Sequence, residues 1–163
     1  IEVRGNEVYL NGELIATIIS GFIGDAPGII EPRTGWVYTD SCPFGEASDY
    51  TRELDPKFHN ITFEKAIMEL GKEVILSVLI AAVDTFKTDP TGASLGVNVF
   101  LAVADDIYNW VHDYPQRTQV YAIEHIYGHK NGMGYIHKNK FIFYSDRDCT
   151  DKISEAIAFS WWG

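Results

Sequence analysis

The sequence predicts a single α+β domain in which an antiparallel sheet of hairpins packs on two apolar helices and a C-terminal helix. Three observations predict this class. An Asn11-Gly12 dipeptide separates two alternating runs, which is the pattern of a β-hairpin. The apolar stretch at residues 62–86 has helical spacing. The length of 163 residues fits one domain with a sizeable core.

The first element is a hairpin over residues 2–20. Val8 and Leu10 alternate with polar neighbours before the turn, and the alternation resumes at Leu14. Asn-Gly tolerates the positive φ angles of a two-residue turn, so this prediction is specific. The stretch GNEVYLNGELIATI is similar to hairpins of small phage accessory proteins. That resemblance covers this hairpin alone and implies no functional residue.

Residues 21–57 are interrupted by glycine and proline, which predicts a long loop with one short strand at Trp36-Val37-Tyr38. The glycines match neither phosphate-binding spacing, G-x-x-x-x-G-K-[ST] or G-x-G-x-x-G. Long loops in compact domains are often functional. Acids outnumber bases in this segment; the acids are Asp25, Glu31, Asp40, Glu46, Asp49, Glu53 and Asp55.

Two helices follow. Residues 62–86 form the first, with Thr62 as its N-cap, and residues 95–114 form the second, which Pro115 ends. Gly71 lies inside the first helix at a cost of about 1 kcal/mol relative to alanine. A helix boundary near Gly71 is the alternative.

The C-terminal third is predicted as a strand, a hairpin and a helix. Residues 119–127 alternate as a strand, and residues 132–145 suggest a hairpin that turns at Asn139. Thr150 or Asp151 then caps a final helix over residues 152–162.

The net charge of −10 restricts the class of partner. Such a surface repels phosphate backbones and anionic lipid, so direct nucleic-acid or membrane binding is not expected. The charge would attract a basic protein, although solubility alone also explains it. Cys42 and Cys149 fit neither a disulfide framework nor a zinc pattern, and two reduced thiols in a cytoplasmic protein are expected.

The leading functional hypothesis is a non-enzymatic binding protein for a basic protein surface. It would act as an inhibitor or an immunity-type factor, such as a phage or mobile-element accessory protein, and would need no cofactor. Aromatic residues interleaved with acids suit such an epitope, although the same aromatics could simply close the core. The predicted partner-binding residues are Glu31, Trp36, Tyr38, Asp40, Phe44, Glu46, Asp49, Tyr50 and Glu53.

A metal-assisted hydrolase is the alternative. His125, His129 and His137 lie close together in sequence, and imidazole nitrogens are ligands for a divalent metal such as zinc. The segment is not H-E-x-x-H, because Ile126 follows His125. Histidines that merely pack among tyrosines give the same pattern.

Further patterns leave other functions open. Asp105, Asn109 and His112 share the polar face of the second helix, which suits a cation site or a solvated face. A pocket lined by Tyr121, Tyr127 and Trp110 would indicate a small-molecule-binding protein. There is no G-x-S-x-G motif. A catalytic triad of residues distant in sequence remains open, and no serine is favoured by its neighbours.

Overall fold

The chain forms a mixed α+β fold around one antiparallel sheet, as seen in a computed structural model. The structure describes residues 1–23, 36–84, 90–132 and 136–162. Within them, eight strands follow the order β1-β2-β3-β6-β7-β8-β9-β4, and β5 adds to β7 beside β6. The strands are β1 Glu2–Arg4, β2 Glu7–Leu10, β3 Glu13–Phe22, β4 Trp36–Thr39, β5 Arg52–Glu53, β6 Lys57–Phe63, β7 Gln119–Gly128, β8 Ile136–Tyr144 and β9 Lys152–Trp162.

Three helices are described: α1 Ile67–Leu70, α2 Lys72–Asp84 and α3 Pro90–Asp113. The core lies between them and one face of the sheet, here called the inner face. Cross-strand neighbours such as Ile18, Ile61 and Val120 are buried on this face. Phe100 of α3 contacts the rings of Phe141 and Phe143 in β8, with centroids 5.2 and 6.1 Å away. The other side of the sheet is called the outer face.

Several predicted elements are confirmed. The first hairpin turns at Asn11 and Gly12, whose φ angles of 52° and 80° are both positive, as the two-residue turn requires. The strand at residues 119–127 is β7, and Trp36-Val37-Tyr38 lies in β4. The second helix is α3, which begins at Pro90, earlier than predicted, with proline in the first turn where it is tolerated.

The prediction of one helix over residues 62–86 is wrong at its start. Thr62 and Phe63 end β6, and the Thr62 hydroxyl donates to Gln119 Oε1 at 2.7 Å, so it does not cap a helix. Gly71 separates α1 from α2 with φ 84° and ψ 163°, a combination that essentially only glycine adopts. The alternative of a boundary at Gly71 is therefore confirmed. Phe86 lies outside the described residues.

Two predictions in the C-terminal third are also wrong. There is no turn at Asn139, because β8 runs unbroken from Ile136 to Tyr144 and the Asn139 amide bonds to neighbouring strands. Residues 152–162 form strand β9 instead of a helix, because hydrogen bonds to β8 and β4 on its two sides outweigh local preference. Small side chains at Ser154, Ala156, Ala158 and Ser160 alternate with larger ones, and this period of two was the available strand signal.

We expect Gly71→Ala to lower the free energy of unfolding by about 1–3 kcal/mol, because any residue with a Cβ is strained at this backbone geometry. A Cβ there would meet no atom within 4 Å, so the loss would reflect the backbone alone. Urea unfolding measures it. The control Glu73→Ala changes an exposed position in α2 and should shift stability by less than about 0.5 kcal/mol. Equal effects of the two substitutions would contradict this explanation.

Candidate functional site

A chain of polar side chains crosses the inner face over five adjacent strands. Ser20 Oγ lies 2.8 Å from His59 Nδ1, and His59 Nε2 lies 2.7 Å from Glu124 Oε1. Asn139 Nδ2 donates to Glu124 Oε2 at 2.6 Å, and Ser160 Oγ donates to Asn139 Oδ1 at 2.8 Å. We call these five residues the polar chain. No side chain in it is more than 5% exposed.

Strand register explains how these side chains meet. Ser20 is directly opposite His59, whereas Glu124 lies one inner-face position further along β7. Asn139 and Ser160 continue the same diagonal on β8 and β9. Each strand thus places one polar residue where an apolar core residue would otherwise lie. The spacing between strands brings diagonal neighbours within reach of long side chains.

Glu124 is the charged centre of the polar chain. Its burial would raise the pKa of the carboxyl group. The hydrogen bond from His59, the attraction of that ring when protonated, the charge of Lys57 and the Asn139 amide oppose this, and together they bring the pKa below its ordinary value. Lys57, itself 2% exposed, is the cross-strand neighbour of Glu124. Glu124 is therefore an ionised carboxylate inside the protein.

The charge on Glu124 fixes the direction of the hydrogen bonds. A carboxylate only accepts, so both His59 Nε2 and Asn139 Nδ2 must donate to it. The Asn139 oxygen is then turned toward Ser160 and accepts its hydroxyl proton. In the neutral form of His59, the proton on Nε2 leaves Nδ1 as an acceptor facing Ser20.

Sequence reasoning did not identify any residue of the polar chain as functional. The available signal was the occurrence of polar residues at alternate positions of strands whose other inward residues are mostly apolar. His59 precedes Ile61 and Phe63, and Glu124 follows Val120 and Ala122 in this way. Using this signal required knowing that the five segments are adjacent strands.

A second location is the surface segment 40–53, here called the acidic segment. Asp40, Phe44, Glu46 and Glu53 are exposed, and the Phe44 side chain is 45% exposed. Tyr50 is 1% exposed, so it supports the segment from within. Of the other predicted partner-binding residues, Glu31 lies outside the described residues, while Trp36 and Tyr38 pair with β9 in strand β4.

Contacts beneath the acidic segment fix the position of Phe44. The Tyr50 hydroxyl donates to the Phe44 carbonyl oxygen at 2.8 Å. The rings of Phe44 and Tyr50 each contact the His129 ring edge-on, with centroids 5.3 Å away. Tyr50 also contacts Phe159 of β9 at 5.5 Å. Burial raises the pKa of Tyr50, which keeps its hydroxyl protonated as a donor.

Ionic contacts attach the same segment to the chain beyond β7. Asp49 Oδ1 lies 3.0 Å from Lys130 Nζ, and Asp49 Oδ2 accepts the Glu46 backbone N–H at 3.0 Å. This backbone hydrogen bond, followed by Lys130, lowers the pKa of Asp49. Asp49 is therefore engaged within the protein, whereas Asp40, Glu46 and Glu53 are exposed to solvent.

The three clustered histidines occupy different environments. His125 is half-buried on the outer face opposite Lys140, and His137 is buried on the inner face opposite Ser160. His129 accepts the Asn131 backbone N–H at Nδ1, 3.1 Å away. Among residues 1–23, 36–84, 90–132 and 136–162, no three His, Cys, Asp or Glu side chains are grouped to bind a metal ion. The metal-site hypothesis gains no support from these positions.

Residues of the other predicted clusters make contacts elsewhere in the fold. Trp110 packs against the main core, whereas Tyr127 packs against the small cluster around Tyr50. On α3, Asp105 forms an ion pair with Lys72 at 3.0 Å, and Asp106 accepts the Ser154 hydroxyl at 2.6 Å. Of the helices in the described part of the chain, none is long and apolar enough to cross a membrane.

A shallow groove lies beside the acidic segment. Its volume is about 300 Å³. The residues around it are Glu53, Leu54, Pro56, His125, Ile126 and Tyr127. The exposed Glu53 thus borders a depression that has both polar and apolar walls.

No protein-family model, no curated protein and no solved structure matches this chain.

We expect Glu124→Gln to lower the free energy of unfolding at neutral pH by about 3–5 kcal/mol, because it leaves buried positive charge uncompensated. In the wild type, the ionised carboxylate stabilises the fold at pH values above the ordinary value of 4.5, and this contribution is lost as pH falls through the lower folded-state pKa. Glu124→Gln should remove that part of the acid dependence. Unfolding by urea as a function of pH measures both effects.

The matched control is Glu53→Gln, which removes an exposed carboxylate from the neighbouring strand. It should change stability at neutral pH by less than about 0.5 kcal/mol. If the wild type and Glu124→Gln lost stability equally on acidification, Glu124 would not be the stabilising carboxylate.

Proposed function

We propose that the protein binds a basic protein partner through the acidic segment and acts as an inhibitor or immunity-type factor, as accessory proteins of phages and mobile elements do. One observation carries this proposal: Phe44 is exposed in a segment whose Asp40, Glu46 and Glu53 are also exposed, and it is fixed from below by Tyr50 and His129. An immobilised aromatic ring loses little conformational entropy on binding, and surrounding acids select a basic surface.

The groove beside Glu53 adds to this proposal. Its mixed walls suit a long basic side chain, whose aliphatic part would lie along Leu54 and Pro56 while its charge approaches Glu53. Partner contact would thus combine an aromatic anchor at Phe44 with a carboxylate at the groove. Charged groups at such a surface mainly increase the association rate and the specificity.

Cys42 supports a reducing, cytoplasmic location within the same proposal. Its Sγ lies 3.3 Å from the Phe44 carbonyl oxygen and 3.5 Å from that of Gly45, as a thiol donor would. Cys42 and Cys149 are both free cysteines. A reduced thiol at Cys42 therefore favours the conformation that presents Phe44.

We expect the triple variant Asp40→Asn, Glu46→Gln, Glu53→Gln to lose a partner that the wild type retains in a pull-down from host extract. The loss follows from the removal of three exposed carboxylates from the acidic segment. Phe44→Ala should weaken the same interaction by about 10-fold or more, because anchoring aromatics typically contribute over 1 kcal/mol. The partner should be basic, and raised salt should slow its association.

The matched control is Glu69→Gln, Glu73→Gln, Asp113→Asn, which removes three exposed carboxylates from the helices. Both triple variants change the net charge equally. Equal loss of the partner from both would indicate a nonspecific charge effect. A partner retained fully by the acidic-segment variant would refute the proposal.

A further inference from the structure

We propose that Ser20, His59 and Glu124 form a nucleophilic site for acyl transfer from small activated esters. Ser20 would be the nucleophile and His59 the general base, with Glu124 as the residue that positions His59. The hydroxyl–imidazole–carboxylate order is that of serine hydrolase triads, which are recognised by geometry and not by position in the sequence. This site shares no residue with the acidic segment, so the two proposals stand or fall separately.

The distances satisfy the requirements for base and orienting acid. Ser20 Oγ and Glu124 Oε1 contact opposite nitrogens of His59 at 2.8 and 2.7 Å, within the range for an activated nucleophile. The carboxylate places the proton of neutral His59 on Nε2, which leaves the lone pair of Nδ1 directed at the hydroxyl. The hydroxyl faces Nδ1 here and the acid faces Nε2, the reverse of the chymotrypsin arrangement. Either ring nitrogen can act as the general base, because a carboxylate bonded to the other nitrogen stabilises the ring once it is protonated.

Glu124 is itself held in place. Its second oxygen accepts the Asn139 amide at 2.6 Å, and Asn139 is fixed in turn by Ser160. The side chains come from paired strands, which hold catalytic groups in position better than loops do. A buried ionised carboxylate contacting a histidine is also a common feature of functional sites.

Ser20 lies near the end of β3. It is 5% exposed, but Phe22 and Ile23 just beyond it are 40% and 50% exposed. A nucleophile this little exposed would accept only a small acyl group. Lys57 lies on the same face, opposite Phe22, with Nζ 5.0 Å from the Phe22 ring centroid. Its positive charge would favour the oxyanion that forms when Ser20 attacks a carbonyl.

The reaction is a two-step acyl transfer. Ser20 Oγ bonds to the ester carbonyl carbon as its proton moves to His59 Nδ1, which gives a tetrahedral oxyanion. This collapses, the bond to the leaving alkoxide breaks, and the proton on Nδ1 passes to the leaving oxygen. Water then adds to the acyl-serine with His59 again taking a proton, and the acid is released as Ser20 Oγ recovers that proton. No oxidant or reductant is consumed.

The test is acetylation of the native wild-type protein by p-nitrophenyl acetate, quenched in acid before the acyl-serine is hydrolysed and located by peptide mass spectrometry. We expect an acetyl group on Ser20 and none on Ser154. Ser154 is an internal control: it is equally exposed at 5% and lies in the same cross-strand row as Ser20, but its hydroxyl bonds to Asp106 instead of a histidine. Absence of acetyl-Ser20, or equal acetylation of the two serines, would overturn the proposal without any variant.

Variants distinguish a role of Glu124 in positioning His59 from a role in the stability of the fold alone. Under conditions where circular dichroism shows each to be folded, Ser20→Ala should abolish the modification, and Ser154→Ala should leave its rate unchanged. Glu124→Gln should slow it by about 10²-fold or more, the usual contribution of an acid–base group. The amide introduced by this substitution would donate to His59 Nε2 and move the ring proton to Nδ1, so Ser20 would lose its base. An unchanged rate in folded Glu124→Gln would overturn the role assigned to Glu124.

Discussion

The buried carboxylate of Glu124 is the constraint on which the centre of the sheet depends. An ionised group inside a protein is tolerated only when charges and hydrogen bonds replace its water. His59 from β6 and Asn139 from β8 supply those hydrogen bonds, and Lys57 supplies positive charge. A shift of one residue in the pairing of either strand with β7 would move these partners to the outer face. The carboxylate therefore specifies strand register as well as local charge.

The interior and the surface offer different kinds of function. In the polar chain, both ring nitrogens of His59 contact polar side chains, which is an arrangement suited to proton transfer. The acidic segment contains both exposed carboxylates and a fixed aromatic ring, which suits recognition. Phe159 and Ser160 are consecutive in β9, and they support the acidic segment and the polar chain respectively. Changes in β9 could thus affect both.

Local sequence predicted those parts of the fold that local chemistry determines. The Asn11-Gly12 turn, strand β7 and most of α3 followed from turn preference and periodicity. Residues 152–162 had an equally plausible helical pattern, and only pairing with β8 and β4 made them a strand. Asn139 is the clearest case, because its turn preference is overridden by hydrogen bonds to Glu124 and Ser160 from other strands.

The two candidate sites also differ in how far local sequence could predict them. The acidic segment could be predicted because its acids and aromatics lie close together in sequence. The burial of Tyr50 could not be predicted in this way. Ser20, His59 and Glu124 are separated by 39 and 65 residues. Nothing in the neighbourhood of any one of them indicates the other two. Their association depends on strand order, which no local pattern specified.

The position of β4 at the far edge of the sheet has a consequence for biosynthesis. Trp36 pairs with Trp162, and Thr39 pairs with Phe159, so β4 can pair only after the much later strand β9 has emerged from the ribosome. Contacts between such distant parts of a chain form slowly. Until β9 is synthesised, Tyr50 lacks Phe159 and the polar chain lacks Ser160. The support beneath Tyr50 and the end of the polar chain would therefore be completed only after β9 has been synthesised.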